Sequence, residues 1–210
     1  MPAGEKRTRA ANLKPRAKPV QGRSRESSRK ILEATHRLLK REGPSGVTTP
    51  AIAREADVSV GAVYHFFPNK EAIILALYEE RLEGIRAIAI APVVAKKGDW
   101  RSGMRQWLRD VKRQEAEIDF DLSMNEAMEH FPHLKEVSRA HAKMLAEILV
   151  EKMKSLGSPW PDDALFDLAL HTFFLNQSLW LYWSFAGASL PQGLERLADG
   201  IVALMAPAIE

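Results

Sequence analysis

Between Leu165 and Ala188 the chain reads LFDLALHTFFLNQSLWLYWSFAGA, apolar on nearly every side of any helix it could form. A helix of that kind must be enclosed on most of its surface. Asp167, His171, Asn176 and Gln177 interrupt the run, and nowhere does the chain reach about 18 uncharged apolar residues in a row, so a buried helix fits better than a membrane span. In 210 residues with 46% hydrophobic side chains there is material for one sizeable core, or for one core and a small satellite domain.

Beyond Pro92 the apolar residues never alternate with a period of two. Helical spacing recurs over about 100–117, 122–130, 132–156, 162–186 and 191–205, punctuated by glycine and proline signals such as SLGSPWPDD and AGASLP. No repeat of 20 to 50 residues is visible. The expected class is all-α.

The chain begins with a polar, basic segment that lacks the apolar stretch of a secretory leader, and the expected location is the cytoplasm, with no membrane partner. Cysteine is absent, which excludes disulfides, thiolate metal sites and cysteine nucleophiles. There is no nucleophile elbow, no phosphate-cradling glycine loop and no HExxH pattern, and Asp119 with Asp121 is an isolated acidic turn, so neither an enzyme nor a cofactor is expected. Glu126, Glu129, His130, His133 and His141 lie close in sequence, with Glu126 and His130 on one helix face. Pro132 interrupts that helix and these residue types are common on solvated surfaces, so no metal site is expected.

Charge is segregated. Residues 1–30 hold ten Lys or Arg against Glu5 and Glu26, a net +8 within a chain whose total is +3, which leaves −5 for the remaining 180 residues. A polyanion at one end is the natural partner of such a distribution. Residues 1–23 carry almost nothing apolar and are expected to be disordered. Helical spacing begins near Arg25 with Ile31, Leu32, Ala34, Leu38 and Leu39, and Gly43 ends it.

A short second helix follows in TTPAIAREA, with a threonine cap and a proline near its first position. After the turn DVS, Ser59 caps a third helix, SVGAVYHFF, which Pro68 stops. Asn69 then caps a long fourth helix towards Ile90. Two helices joined by a tight turn, the second opening on small residues, form the pattern of a helix-turn-helix whose second member enters the DNA major groove.

In that third helix Val63 and Phe67 point inward, while Val60, Gly61, Ala62, Tyr64, His65 and Phe66 stay outside or at the margin. Gly61 and Ala62 add almost no bulk to the groove-entering end. Tyr64 and His65 can donate to phosphate oxygens, as can Lys70 beside the free N–H groups of the fourth helix, and Thr48 and Thr49 at the second.

The stretch Ile31 to Glu80, ILEATHRLLKREGPSGVTTPAIAREADVSVGAVYHFFPNKEAIILALYEE, resembles the DNA-binding region of TetR-type (tetracycline-repressor-like) transcriptional regulators. The resemblance implies a ligand-responsive regulator, acting as a repressor, that binds a palindromic double-stranded DNA operator as a homodimer. It implies backbone contacts at Thr49, Tyr64 and Lys70, core packing at Val63 and Phe67, and groove-facing positions at Val60, Gly61, Ala62 and His65. Val60 and Phe66 depart from commoner polar residues at those positions, so fewer polar readers remain. Arg25 and the basic tail are assigned to the adjoining minor groove or phosphates.

The chain thus divides into a disordered basic tail (1–23), a three-helix helix-turn-helix DNA-binding domain (24–70) and a larger helical effector-binding and dimerisation domain (71–210). The resemblance implies a four-helix dimer contact made of the last two helices of each subunit, and the sequence offers Leu194, Leu197, Ile201, Leu204 and Met205 of the final helix for it, with the small Ala198 and Ala203 allowing closeness. Met104, Trp107, Phe120, Met124, Met128, Phe131, Phe174 and Trp183 supply large adaptable apolar surface, and His171, Asn176 and Gln177 can orient a polar group. Together they read either as ordinary core or as the lining of a cavity for a small, mostly apolar effector that releases the regulator from its operator. The alternative reading keeps DNA binding and drops the small molecule, leaving an architectural or protein-partner-controlled regulator.

Overall fold

The computed structural model describes residues 12–15, 22–94, 98–187 and 190–210. Most of the basic segment expected to be disordered, residues 1–11 and 16–21, lies outside the described residues. Those that are described build nine helices and no strand: α1 (Gly22–Gly46), α2 (Thr49–Glu55), α3 (Val60–Phe66), α4 (Lys70–Ala89), α5 (Trp100–Glu117), α6 (Leu122–His130), α7 (Pro132–Ser155), α8 (Asp162–Ala186) and α9 (Pro191–Ile209).

Caps set the boundaries. The regular part of α1 ends at Gly43, whose φ of 67° is a left-handed conformation that a side chain would resist. Thr48, Ser59 and Asn69 each sit in extended backbone and accept a hydrogen bond from the amide three residues on, at 3.2, 3.0 and 2.8 Å. Each satisfies one of the orphan donors that open α2, α3 and α4. At the other end of the chain α9 runs past the expected stop at Met205 to Ile209, with Pro207 costing it one backbone hydrogen bond in the last turn.

Two apolar cores result. The first gathers Ile31, Leu38 and Leu39 of α1, Ile52 of α2, Val63 of α3 and Ile73, Ile74 and Leu77 of α4, and is closed by Met124, Met128 and Leu134 from α6 and the start of α7. The second joins α5, α7, α8 and α9 through residues such as Met104, Leu149, Met153, Leu165 and Met205. Helix α4 starts under the first core and packs further along on α5 and α7.

Helix α9 differs from expectation in its inner face. Ile201, Met205 and Ala198, expected at a contact between two copies, are fully buried in the second core of their own chain. Their i, i+3 and i, i+4 spacing places them on the one face that covers α5 and α8. Among the described residues no helix is long and apolar enough to cross a membrane.

A polar cluster rims the contact between α1 and α6. His36, only 4% exposed, directs its two ring nitrogens at Asp119 (3.4 Å) and Asp121 (3.2 Å), and the Lys40 ammonium reaches the same two carboxylates at 2.6 and 3.0 Å. Asp121 also caps α6, accepting from the Ser123 amide at 2.9 Å. Burial alone would raise its pKa; hydrogen bonds from His36, Ser123 and Lys40 more than offset that and hold it well below the ordinary 3.8.

A depressed folded-state pKa stabilises the native chain above the unfolded value, and that contribution is lost as pH falls towards the folded one. Asp121→Asn should therefore cost about 1–3 kcal/mol in urea unfolding at pH 6, with the gap to the parent narrowing as pH drops below about 4. A gap that is the same at pH 6 and pH 3 would remove the carboxylate from this role.

Candidate functional site

The outer surface of α3 is built on a tight joint. Asp57 takes φ 53° in the turn after α2, and the Val58 amide closes it on the Ala53 carbonyl at 3.0 Å. Small buried residues on α2 (Ala51, Ala53) and at its C-cap (Ala56) let α3 approach closely. Glu55 of α2 is tied to α1 by Arg37 (2.8 Å) and Arg41 (3.1 Å), and those hydrogen bonds lower its pKa. The joint is thereby anchored on both sides, and α3 presents Val60 (40% exposed), Gly61, Tyr64 (44%) and His65 outward.

Packing among the described residues leaves room at Gly61 for a side chain. A Cβ built on it would meet no atom closer than Ser59 Oγ at 3.8 Å, ordinary contact distance. Nothing among the described residues demands a glycine there, and an open flank that costs helix propensity suits close approach by a partner.

Phe66, expected at the margin, is 6% exposed and belongs to the first core beside Val63 and Phe67. The reason is local: α3 ends at Phe66 and Phe67 turns to extended backbone, so successive rings enter the same core from helix and from strand-like chain. Thr48 is exposed, whereas Thr49 is 8% exposed at the start of α2. Lys70 is half-buried; its ammonium donates to the Val47 carbonyl at 3.1 Å and stands 4.9 Å over the Phe131 ring. Arg25 lies exposed on α1. Leu13, one of the few large apolar residues of the basic segment, packs on the first core, and the Asn12 carbonyl accepts from Asn69 at 3.1 Å.

A second feature lies deeper. Helices α4, α5, α7 and α8 and the residue Phe120 enclose a cavity of about 60 Å3. Its wall is largely apolar, with Trp107, Val111 and Leu145 among the lining. His141 stands in that wall, its Nδ1 paired with the Tyr78 hydroxyl of α4 at 2.9 Å. Burial, with some help from Arg86, lowers the imidazole pKa to about 4, so the ring is neutral. Glu115, also in the wall, is held by Lys112 at 2.7 Å; that lysine is buried and stands over the Trp180 ring at 4.9 Å. Desolvation lowers the Lys112 pKa and Glu115 opposes the change.

Residues 31–77 match the family model described as bacterial regulatory proteins, tetR family. Curated relatives agree over a longer span: the HTH-type transcriptional regulator BetI of Burkholderia cenocepacia is 25% identical over 165 residues, 76% of this chain and 83% of its own. Its residues 31–77 belong to the tetR family of bacterial regulatory proteins. The chain is on that ground a DNA-binding transcriptional regulator. Solved structures match the fold across both cores. A transcriptional regulator from Rhodococcus sp. Rha1 gives a TM-score of 0.68 at 18% identity, over 88% of this chain and 98% of that one. The multidrug binding protein EbrR, solved in complex with imidazole, gives 0.58 at 17% identity, over 90% and 96%.

Of the residues read from sequence as cavity lining, Trp107, Phe120, Asn176 and Gln177 stand in the wall. Met104 is fully buried in the second core, and Met124, Met128 and Phe131 are spent closing the first against α1 and α4. His171 and Phe174 point to the outside of α8, and Trp183 lies apart, donating through its indole N–H to the Leu190 carbonyl at 3.3 Å. His141, Thr172 and Phe173 line the cavity and were not among the expected set. The pattern Ala169, Thr172, Phe173, Asn176 gives the phase of α8 that faces inward, a phase hidden in a helix apolar on all sides.

Among the described residues no group of three or more His, Asp or Glu is placed so that it could hold a metal ion. Gly61→Leu of this TetR-type head should fold as well as the parent, gaining up to about 1 kcal/mol of helix propensity, and lose about a hundredfold in specific DNA affinity. Thermal unfolding and a gel-shift titration check the two halves. Retained affinity would mean that the Gly61 flank does not meet the duplex.

Proposed function

We propose that the chain is a repressor that reads a palindromic operator as a homodimer and lets go of it when a small, mostly apolar effector fills the inner cavity. The observation that carries the DNA half of this reading is the outer flank of α3, where Val60, Gly61, Tyr64 and His65 are exposed and Gly61 has no internal neighbour to accommodate. In this reading Gly61 and Ala62 pass closest to base edges, Val60 and His65 flank them, and Tyr64, Thr48 and the α4 start contact the sugar-phosphate backbone. Lys70 keeps its bond to Val47 and offers its remaining donors to a phosphate; Arg25 adds charge along α1. The buried position of Thr49 limits it to a contact through its backbone amide.

Support for a twofold assembly comes from α8. Phe174, Leu181 and Phe185 are 59%, 64% and 93% exposed and, with Tyr182, follow one another along one side of the helix. Large rings left in water at that spacing are what a self-complementary contact covers. The exposed small residues Gly200 and Ala203 of α9 permit close approach.

Support for an effector comes from the cavity itself and from the similarity of fold to EbrR, a multidrug binding protein. An occupant acts by binding one arrangement of the two heads better than another, and weakens operator affinity by no more than that difference. Phe120 connects the two regions: its ring lines the cavity and belongs to the first core, while its neighbours Asp119 and Asp121 hold His36 and Lys40 of α1.

Selection of bound fragments from sheared genomic DNA should return a palindrome with half-sites about one helical turn apart. An asymmetric site, or no enrichment at all, would defeat the repressor reading. Leu181→Glu together with Phe185→Glu should convert a two-chain species to a one-chain species in sedimentation, with helicity unchanged because both side chains are exposed. Operator affinity should fall by at least about a hundredfold, since a lone head keeps half of the phosphate contacts.

A further inference from the structure

The cavity wall is apolar except at Glu115, His141, Thr172, Asn176 and Gln177. Two of these are already occupied: Glu115 accepts from Lys112 at 2.7 Å, and Gln177 accepts from the Asn125 amide at 3.3 Å. The other three each keep one buried atom, His141 Nε2, Thr172 Oγ1 and Asn176 Oδ1, with no hydrogen-bond partner among the described residues. An unmade hydrogen bond of this kind costs a folded chain stability, and most native structures avoid it. Three at one cavity are a set. Thr172 and Asn176 are i, i+4 neighbours on α8, and His141 comes from α7, the helix packed against it.

We propose that this cavity binds a small uncharged molecule, mostly apolar, whose one compact head both donates and accepts hydrogen bonds, of the carboxamide or lactam class, seated on His141, Thr172 and Asn176. The assignment rests on the reading above that the cavity is the effector site, and it adds the chemistry of the head. Asn176 Oδ1 only accepts, so the head must donate. The Thr172 hydroxyl can donate, so an acceptor beside that donor is matched as well. An amide carries the two on adjacent atoms and can serve two side chains at once.

Charge is disfavoured from both directions. An anion finds no free cation in the wall, because Lys112 is committed to Glu115 and the His141 ring is neutral. A cation would displace Lys112 from a buried pair and leave an unpaired charge behind. A wholly apolar molecule fits the wall and leaves all three polar atoms unmet. The volume of about 60 Å3 is several times what one water needs, which sets the scale of the occupant near a single ring, with the walls parting to admit it.

Three probes of one size separate these cases: benzamide, toluene and benzoate, titrated into the full chain by calorimetry at pH 7. Benzamide should bind at least tenfold more tightly than either of the others. In Thr172→Val and in Asn176→Leu that advantage should shrink to threefold or less while toluene binding persists, and the persistence shows that each variant is folded. Tighter binding of toluene or benzoate, or an undiminished benzamide advantage in both variants, overturns the assigned head chemistry and leaves the effector site standing. If none of the three binds to the parent chain, the effector-site reading falls, and this assignment with it.

Discussion

Burial of one face of α6 against α1 joins the two parts of the molecule. Met124, Ala127 and Met128 are fully buried there, and Phe131 and Leu134 extend the same surface under α4. Truncating any one of the large ones would cost about 2–5 kcal/mol. An apolar face of this kind supplies cohesion without fixing an angle. The angle comes from its polar rim, where His36 and Lys40 meet Asp119 and Asp121. The reading head is therefore not closed by its own helices alone; a helix from the C-terminal part completes its core.

Much of this was legible in the sequence wherever a local chemical signal stood at a boundary. Thr48, Ser59 and Asn69 cap α2, α3 and α4 as their side chains require, and Asp162 to Ala186 begins and ends as read. Val63 and Phe67 are buried as their spacing demands. Phe66 was misjudged because a wheel with Val63 and Phe67 inward puts it only at the margin, whereas the chain leaves the helix at the next residue and the geometry of the wheel no longer holds. The short helix gave too few residues for periodicity to decide.

The cavity was legible in kind and poorly legible in detail. Large apolar residues on α5 to α8 pointed to an interior with room in it, yet which of them would face each other depends on the rotation of each helix about its own axis. For α8, apolar on every side, that rotation leaves no trace in composition. For α6 the methionines satisfied two descriptions equally well, cavity lining or core, and packing against α1 settled the matter. His141 was visible among the histidines of the central region, but its partner Tyr78 is 63 residues away. A long-range pair of that sort cannot be found by spacing.

On α3 the inward residues Val63 and Phe66 carry the packing, while Val60, Gly61, Tyr64 and His65 touch little inside the chain. Packing residues and exposed residues thus stand on opposite sides of one seven-residue rod. Under the proposed DNA reading, exchanging the outer residues leaves the scaffold's free energy almost untouched, so lineages descending from such a chain can acquire new address sequences by single steps without passing through unfolded intermediates.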